Sequence, residues 1–143
     1  MIVGIGTDIV NIRRIEAALL RHGDRFRHRI FARTELEYAS GLSNAGGFLA
    51  KRWAAKEACS KALGTGMTQG VAWRDIVVQS RPGSFPSLKL FGKARAHLNR
   101  LTPLNHRSFI NLSMSDDYPW AVAFVVISAQ VDQGCLQSEL DAS

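Results

Sequence analysis

The pattern of apolar and polar positions divides the chain into a short apolar opening, a helical half and a half typical of strands. Apolar residues first recur three or four positions apart and later cluster or alternate in short runs. In chain order the pattern predicts a strand at 2–5, three short helices, a long helix at 48–63, strands at 75–78 and 87–91, a helix at 93–101, and strands at 109–114 and 120–127. Helices followed by hairpins predict an α+β fold in which an antiparallel sheet packs on the long helix. The 120–127 strand is almost wholly apolar and is expected to be central.

Polar residues and glycines mark where the first elements begin and end. Asp8 follows the opening apolar run and is predicted to lie at the exit of the first strand. Asn11 is the predicted N-cap of the first short helix, and Gly23 is its stop signal. Asp24 is predicted to cap the second helix, and Thr34 to Glu37 fit a capping box for the third.

Length and composition restrict the class of protein. A chain of 143 residues with 46% hydrophobic positions suits one globular domain. No apolar run approaches the roughly 18 residues of a membrane span, and the first residues lack the apolar stretch of a secretory signal. We therefore expect a cytosolic protein without a membrane partner. Cys59 and Cys135 are too few and too scattered for a disulfide framework or a metal site, so both are predicted to be reduced thiols.

The positive charge lies mostly in the first half of the chain. The formal charge is +6, and residues 1–61 carry 11 basic and 6 acidic side chains. Seven arginines with no lysine among them precede the long helix: Arg13, Arg14, Arg21, Arg25, Arg27, Arg29 and Arg33. Arginine pairs bidentately with carboxylate and phosphate, so an anionic partner is the simplest interpretation. A nucleic acid, an acidic protein and a phosphorylated small molecule all remain open at this point, as does a solvated basic face.

The long helix is predicted to combine two charged side chains with very small ones. Its apolar stripe contains Leu49, Trp53 and Leu63. A second face consists of Ala50, Ala54, Glu57, Ala58 and Lys61. Such a strip of small side chains leaves room for a ligand or for another backbone.

A strand-end carboxylate, a helix carboxylate and a lysine are together suited to binding phosphate. Two carboxylates, such as Asp8 and Glu57, suit Mg²⁺, which needs only one or two protein carboxylates beside phosphate oxygens and water. Lys61, one turn further along the helix, can neutralise phosphate charge. The glycine-rich loop at 64–70 follows a helix, whereas a P-loop follows a strand, so this loop is interpreted as a helix cap. Glu57 and Lys61 alone are equally typical of an exposed helix.

Two segments carry a family resemblance. Residues 1–10, MIVGIGTDIV, and residues 48–66, FLAKRWAAKEACSKALGTG, resemble the 4′-phosphopantetheinyl transferases, within them the small bacterial holo-[acyl-carrier-protein] synthase group. The order and spacing fit over residues 1–129, which we take as the transferase domain. Residues 130–143 lie outside the resemblance and are predicted to be a polar tail.

The resemblance implies an activity and a metal site. The reaction is transfer of the 4′-phosphopantetheine group of coenzyme A (CoA) to a serine of apo acyl carrier protein, with release of adenosine 3′,5′-bisphosphate, in support of fatty acid biosynthesis. By the resemblance, Asp8 and Glu57 are Mg²⁺ ligands, Glu57 helps to deprotonate the serine directly or through a water, and Lys61 steadies the phosphates. All three are therefore expected to be catalytic.

The resemblance also assigns residues that bind CoA and the protein substrate. Arg52, Gly64, Thr65 and Gly66 match positions close to bound CoA. Arg14 matches a position on the first helix that contacts the carrier protein. The family assembles as a homotrimer with its active sites between subunits, which implies that part of each CoA pocket comes from a neighbouring chain.

One position departs from the family pattern, and two other functions compete with the transferase. Many members have a histidine in the turn of the final hairpin, where this chain has Asp116, to which no role is assigned. A basic nucleic-acid-binding module fits the charge, but the sequence lacks RNP-like aromatic motifs, zinc-ligand spacing and a clear helix-turn-helix. A non-catalytic subunit that binds CoA or a nucleotide would have no need for the two carboxylates.

Overall fold

The computed structural model describes residues 1–134, so Cys135 and most of the predicted tail lie outside the described residues. The elements are β1 (Ile2–Asn11), α1 (Ile12–His22), α2 (Asp24–Ile30), α3 (Arg33–Ser40), α4 (Ala45–Ala62), β2 (Ile76–Gln79), β3 (Ser87–Leu90), α5 (Gly92–Leu101), β4 (His106–Asp117) and β5 (Trp120–Val131). A single 3₁₀ turn, Trp73–Asp75, precedes β2. Within this part of the chain no helix has the length and apolar character needed to cross a bilayer.

The strands form two antiparallel sheets. The larger sheet has the order β1-β5-β4, and the smaller one pairs β2 with β3. The α+β class and the central position of the last strand are thereby confirmed. β5 remains paired with β4 through Val131, so the sheet extends two residues beyond the predicted end of the domain at 129.

Two of the predictions for the first 24 residues, those for Asp8 and Asp24, differ from the structure. The prediction that Asp8 lies at a strand exit is wrong: β1 continues to Asn11, and Asp8 lies opposite Ala123 in mid-strand. β1 continues because the long apolar strand β5 offers backbone partners along its whole length. Asn11 caps α1 as predicted, its Oδ1 accepting a hydrogen bond from the Arg13 amide at 3.0 Å. Gly23, with a φ of 53°, ends that helix as predicted, and Asp24 is the first residue of α2 rather than its cap.

The predicted capping box at α3 is also wrong. The helix begins at Arg33, two residues before the position at which a helix capped by Thr34 would begin. Glu35 carries the capping interaction instead, because its Oε2 accepts a hydrogen bond from the Ala32 amide at 2.8 Å. Glu35 is a buried residue, at 2% exposure, so this carboxylate belongs to the interior rather than to a solvated helix end.

Helix α4 packs directly on β1 through small residues. Ala54 and Ala58 are fully buried in this contact. A Cβ atom at Gly6 would lie 1.9 Å from the Ala58 carbonyl oxygen, and one at Gly4 would lie 2.1 Å from the carbonyl oxygen of Ala62. The strip of small side chains therefore makes room for the β1 backbone and not for a ligand. This close approach brings Asp8 next to the charged residues of α4.

The opposite face of the larger sheet is apolar and exposed. Its side chains come from all three strands: Ile5, Ile9, Phe109, Val122 and Phe124, which are between 38% and 62% exposed. Residues on the other face of the same strands, such as Val10, Ala123 and Val125, are buried under α4. No element of residues 1–134 covers the exposed face.

Candidate active site

Asp8 and Lys61 meet where β1 crosses α4. Lys61 Nζ donates hydrogen bonds to Asp8 Oδ1 at 3.1 Å and to the Thr7 carbonyl oxygen at 3.0 Å. The side chain of Asp8 is 16% exposed and that of Lys61 is 49% exposed. The carboxylate is therefore held against the protein, while the ammonium group remains open to solvent.

Glu57 belongs to the same cluster. It precedes Lys61 by one helical turn and is half-buried. Desolvation raises the pKa of Glu57, the negative charge of Asp8 raises it further, and Lys61 opposes both effects. The structure thus brings Asp8 next to Glu57 and Lys61, whose place on one face of α4 the helical spacing predicts.

The two carboxylates fit a magnesium ion that also binds a substrate phosphate. Mg²⁺ retains several waters and binds through one or two carboxylates plus phosphate oxygens, rather than in a cage of protein ligands. Among residues 1–134 no group of three or more histidine, cysteine, aspartate or glutamate side chains is arranged to hold a metal. Asp8 and Glu57 are a donor set of this incomplete type, and a bound cation would offset the desolvation and the Asp8 charge that raise the pKa of Glu57.

The turn after α4 is built as a helix cap. Gly64 and Gly66 have φ values of 78° and 57°, which favour glycine. The Gly64 amide donates to the Lys61 carbonyl oxygen at 3.0 Å, and the amides of Thr65 and Gly66 both donate to the Ser60 carbonyl oxygen at 3.1 Å. The three amides are thus engaged with the end of α4, as the cap interpretation predicts. The expected CoA contacts of this turn stay a prediction.

Arg52 lies on the other side of α4, away from Lys61. The residue is 4% exposed. Its guanidinium stacks 3.3 Å from the ring centroid of Phe48, and it donates to the Phe48 carbonyl oxygen at 3.3 Å and to Ser80 Oγ at 2.9 Å. Burial lowers the pKa of Arg52 to about 10, with the Glu35 carboxylate acting against that shift, so the group is charged at neutral pH. Arg52 forms part of the wall of a cavity of about 190 Å³. Within one chain it does not join the carboxylate cluster.

The cavity beside Arg52 has a mixed polar and aromatic lining. Its walls come from α3, α4 and the end of β2: Thr34, Glu35, Tyr38, Phe48, Arg52, Val78, Gln79, Ser80 and Arg81. The rings of Tyr38 and Phe48 are stacked, with centroids 5.2 Å apart. Sequence reasoning missed all of these residues except Arg52, because they come from three separate segments.

Arg14 lies on the exposed side of α1. Its neighbour Arg13 lies over the ring of Tyr118, whose hydroxyl donates to Glu16 Oε2 at 3.2 Å. Among the described residues, five of the N-terminal arginines form no ion pair: Arg13, Arg14, Arg21, Arg25 and Arg29. The predicted basic surface thus has unpaired charge available to an anionic partner.

Two further charged pairs were not expected. Asp116 forms an ion pair with Lys51 at 2.9 Å, which joins the final hairpin to α4. Lys56 forms a fully buried pair with Glu35, also at 2.9 Å. Arg52 and Lys56 are four residues apart, and this helical spacing was a signal that both lie on one face of α4, away from Lys61.

The sequence matches one protein family over most of its length. The family model of the 4′-phosphopantetheinyl transferase superfamily matches residues 4–123. The holo-[acyl-carrier-protein] synthase of Dinoroseobacter shibae is 53% identical over 129 residues, covering 90% of this chain and 93% of that protein. The protein of the same name from Rhizobium meliloti is 50% identical over 129 residues, with the same coverage.

Solved structures show the same fold. The holo-[acyl-carrier-protein] synthase from Neisseria meningitidis superposes with a TM-score of 0.76 at 35% identity, covering 90% of this chain and 99% of that one. The Bacillus anthracis enzyme in complex with CoA (3′,5′-ADP) gives a TM-score of 0.71 at 39% identity, covering 89% and 96%. These matches confirm the family resemblance of the two sequence motifs, and the chain belongs to the 4′-phosphopantetheinyl transferase superfamily.

Proposed function

We propose that this protein transfers the 4′-phosphopantetheine group of CoA to a serine of apo acyl carrier protein, with Mg²⁺ as cofactor, in support of fatty acid biosynthesis. The observation that carries the proposal is the meeting of Asp8, Glu57 and Lys61 at the contact of β1 with α4. The names of the relatives, holo-[acyl-carrier-protein] synthases, and the CoA bound to one of them supply the substrate class.

The reaction forms one oxygen–phosphorus bond and breaks another. The serine hydroxyl attacks the β-phosphorus of the CoA pyrophosphate, and the bridging oxygen leaves with adenosine 3′,5′-bisphosphate. Bound Mg²⁺ would neutralise the pyrophosphate charge, and Asp8 and Glu57 are the residues that would hold it. Glu57 accepts the serine proton directly or through a water. Lys61, half exposed beside Asp8, stabilises the charge on the phosphates.

CoA is proposed to extend to the cavity at Arg52. The buried guanidinium, the Ser80 hydroxyl and the nearby Arg81 suit an anionic group, and the rings of Tyr38 and Phe48 suit a planar one. Gly64, Thr65 and Gly66 are proposed to contact CoA beyond the end of α4. At about 190 Å³, the cavity holds only part of CoA, so the rest of the molecule must lie along neighbouring surface.

A homotrimer with its active sites between subunits explains how Arg52 and Glu57 serve one CoA molecule. The two residues face different sides of α4, and the exposed apolar face of the larger sheet offers a contact surface. Side chains such as Ile5, Val122 and Phe124 are more often covered than solvated in such a continuous patch. We propose that this face is the subunit contact, so that Arg52 of one chain approaches Glu57 of the next.

The acidic carrier protein is proposed to dock on α1. Arg14 is exposed and unpaired among the described residues, with Arg21 on the same helix. Long-range attraction by such charges accelerates association with an acidic partner. The buried free thiol of Cys59 is in keeping with a reducing compartment, and we propose the cytosol as the place of action.

A stoichiometric assay tests the proposed function. The protein is incubated with CoA, Mg²⁺ and an apo acyl carrier protein, and adenosine 3′,5′-bisphosphate is quantified beside the modified carrier. We expect equal amounts of the two products and none of either when the acceptor serine is replaced by alanine. Release of the bisphosphate without modification of the carrier would contradict the proposal.

A further inference from the structure

The Glu35–Lys56 pair is a completely enclosed polar network. Lys56 Nζ donates to Glu35 Oε2 at 2.9 Å, to the Trp73 carbonyl oxygen at 3.2 Å and to the Ile76 carbonyl oxygen. Glu35 Oε1 accepts from the Val78 amide at 3.1 Å. Both side chains have no exposed surface. A buried ion pair rarely stabilises a fold more than apolar side chains of the same size, so the backbone groups that this pair satisfies are the better guide to its role.

The pair acts as a neighbouring strand for β2. One edge of β2 is hydrogen bonded to β3, and no strand of residues 1–134 pairs with the other edge. Ile76 and Val78 are two residues apart, and side chains bond to the carbonyl group of the first and to the amide of the second. Lys56 supplies the donor and Glu35 the acceptor that an adjacent strand would otherwise supply. The position of β2 against α3 and α4 is thereby fixed by two side chains.

The same strand leads to the cavity of Arg52. Ser80, whose hydroxyl accepts the hydrogen bond of the Arg52 guanidinium, follows Val78 by two residues. The cavity walls come from the three elements that the pair joins, namely α3, α4 and β2 with the residues after it. A shift of β2 therefore moves Ser80 away from Arg52 and changes the shape of the cavity.

We propose that Glu35 and Lys56 are positioning residues for CoA: by holding the free edge of β2 they keep Ser80 against Arg52, and so determine CoA affinity. This inference rests on the proposed function, which places part of CoA in that cavity. Neither residue is proposed to touch the reacting atoms, so the inference concerns binding and leaves turnover to Asp8, Glu57 and Lys61.

A competing role for Lys56 is purely electrostatic. Glu35 lines the cavity, and Lys56 neutralises a carboxylate that would otherwise repel an anion there. The two roles differ in a double variant. Lys56→Met leaves the Glu35 carboxylate without its ion-pair partner. Glu35→Gln/Lys56→Met removes both charges, so the cavity regains its charge balance. The double variant still lacks the ammonium group that donates to the β2 backbone.

The experiment compares steady-state kinetics of the parental protein, Lys56→Met and Glu35→Gln/Lys56→Met, with CoA and carrier protein varied in turn. We expect both variants to raise the KM for CoA about tenfold, with kcat and the KM for carrier protein within about twofold of parental values. Circular dichroism melting confirms that each is folded at the assay temperature. Because the double variant buries no unpaired charge, it keeps the fold even if the single variant does not.

A control and three distinct outcomes complete the test. Leu98 is buried on α5 and does not line the Arg52 cavity, so Leu98→Ala is expected to lower the melting temperature without changing the KM for CoA. A folded double variant with the parental KM overturns the inference, whether or not Lys56→Met is impaired, and so does a loss of kcat at unchanged KM. Absence of transfer by the parental protein would instead reject the proposed function itself.

Discussion

The ammonium group of Lys61 lies 3.1 Å from Oδ1 of Asp8, joining residues that are 53 positions apart in the chain. The contact exists because Gly4 and Gly6 let β1 approach the α4 backbone. It places a charged pair beside Glu57, so that three ionisable groups influence one another at the edge of the molecule. The chemistry proposed for this protein depends on that coupling.

The coupling predicts how Glu57 titrates in the metal-free protein. Desolvation and the Asp8 charge raise the pKa of Glu57, and Lys61 lowers it. Asp8→Asn is therefore expected to lower the Glu57 pKa, and Lys61→Met to raise it. Carboxyl carbon chemical shifts followed through a pH titration by NMR measure both changes. Equal Glu57 pKa values in the three proteins would show that the groups do not interact.

The raised pKa of Glu57 also predicts a conflict between stability and activity. The folded state binds the Glu57 proton more tightly than the unfolded state, so stability is lost as pH rises through the raised pKa. Glu57→Gln is expected to stabilise the metal-free protein at neutral pH by up to about 1 kcal/mol, an effect that disappears in acid. Urea denaturation at several pH values measures it. Destabilisation by Glu57→Gln at neutral pH would contradict this account.

The proposed trimer predicts complementation between two inactive variants. If Arg52 of one chain and Glu57 of the next form one site, a mixed trimer of Arg52→Ala and Glu57→Gln chains contains some intact sites. Unfolding and refolding the two variants together is expected to restore part of the activity, while each refolded alone stays inactive. No recovery in mixed oligomers would mean that both residues serve CoA within one chain.

The exposed face of the sheet provides a matched test of assembly. Phe124→Asp is expected to yield a folded monomer without transferase activity, because it places a charge in the proposed contact. Phe85→Asp is the control, since Phe85 is 93% exposed in the turn between β2 and β3. Light scattering coupled to size-exclusion chromatography gives the mass of each. A Phe124→Asp variant with the parental mass would place the subunit contact elsewhere.

Charge reversal at Arg14 tests the docking surface. Arg14→Glu is expected to raise the KM for carrier protein about tenfold at low salt and to leave the KM for CoA unchanged, with the difference shrinking as salt rises. Arg100→Glu, on α5, changes the net charge equally and is expected to have little effect. If the two variants behave alike, the net charge of the protein and not α1 governs association.

The sequence pattern predicts that Glu57 and Lys61 lie side by side, but it does not predict where Asp8 lies in its strand. Helical periodicity alone places Glu57 and Lys61 on one face of α4, since residues four apart must lie side by side. The position of Asp8 in mid-strand depends on pairing with β5, more than a hundred residues later, which no local pattern reports. Asp8 still faces α4, because alternate residues of β1 point to the same face.

The buried pair of Glu35 and Lys56 could not be predicted from the sequence for a different reason. Glu35 and Lys56 have the appearance of surface residues on two helices, and both are buried only because α3, α4 and β2 converge on them. Arg52 was predicted from a motif, but its position opposite Lys61 follows from nine residues of helical rotation, about two and a half turns. Because Arg52 and Lys61 lie on opposite sides of α4, we interpret the active site as shared between subunits.

The most direct test of the central claim is intact-mass spectrometry of an apo acyl carrier protein incubated with CoA, Mg²⁺ and either the parental protein or Glu57→Gln. We expect a phosphopantetheine adduct with the parental protein and a rate about 10³-fold lower with the variant. No adduct with the parental protein, or equal rates for the two, would contradict it.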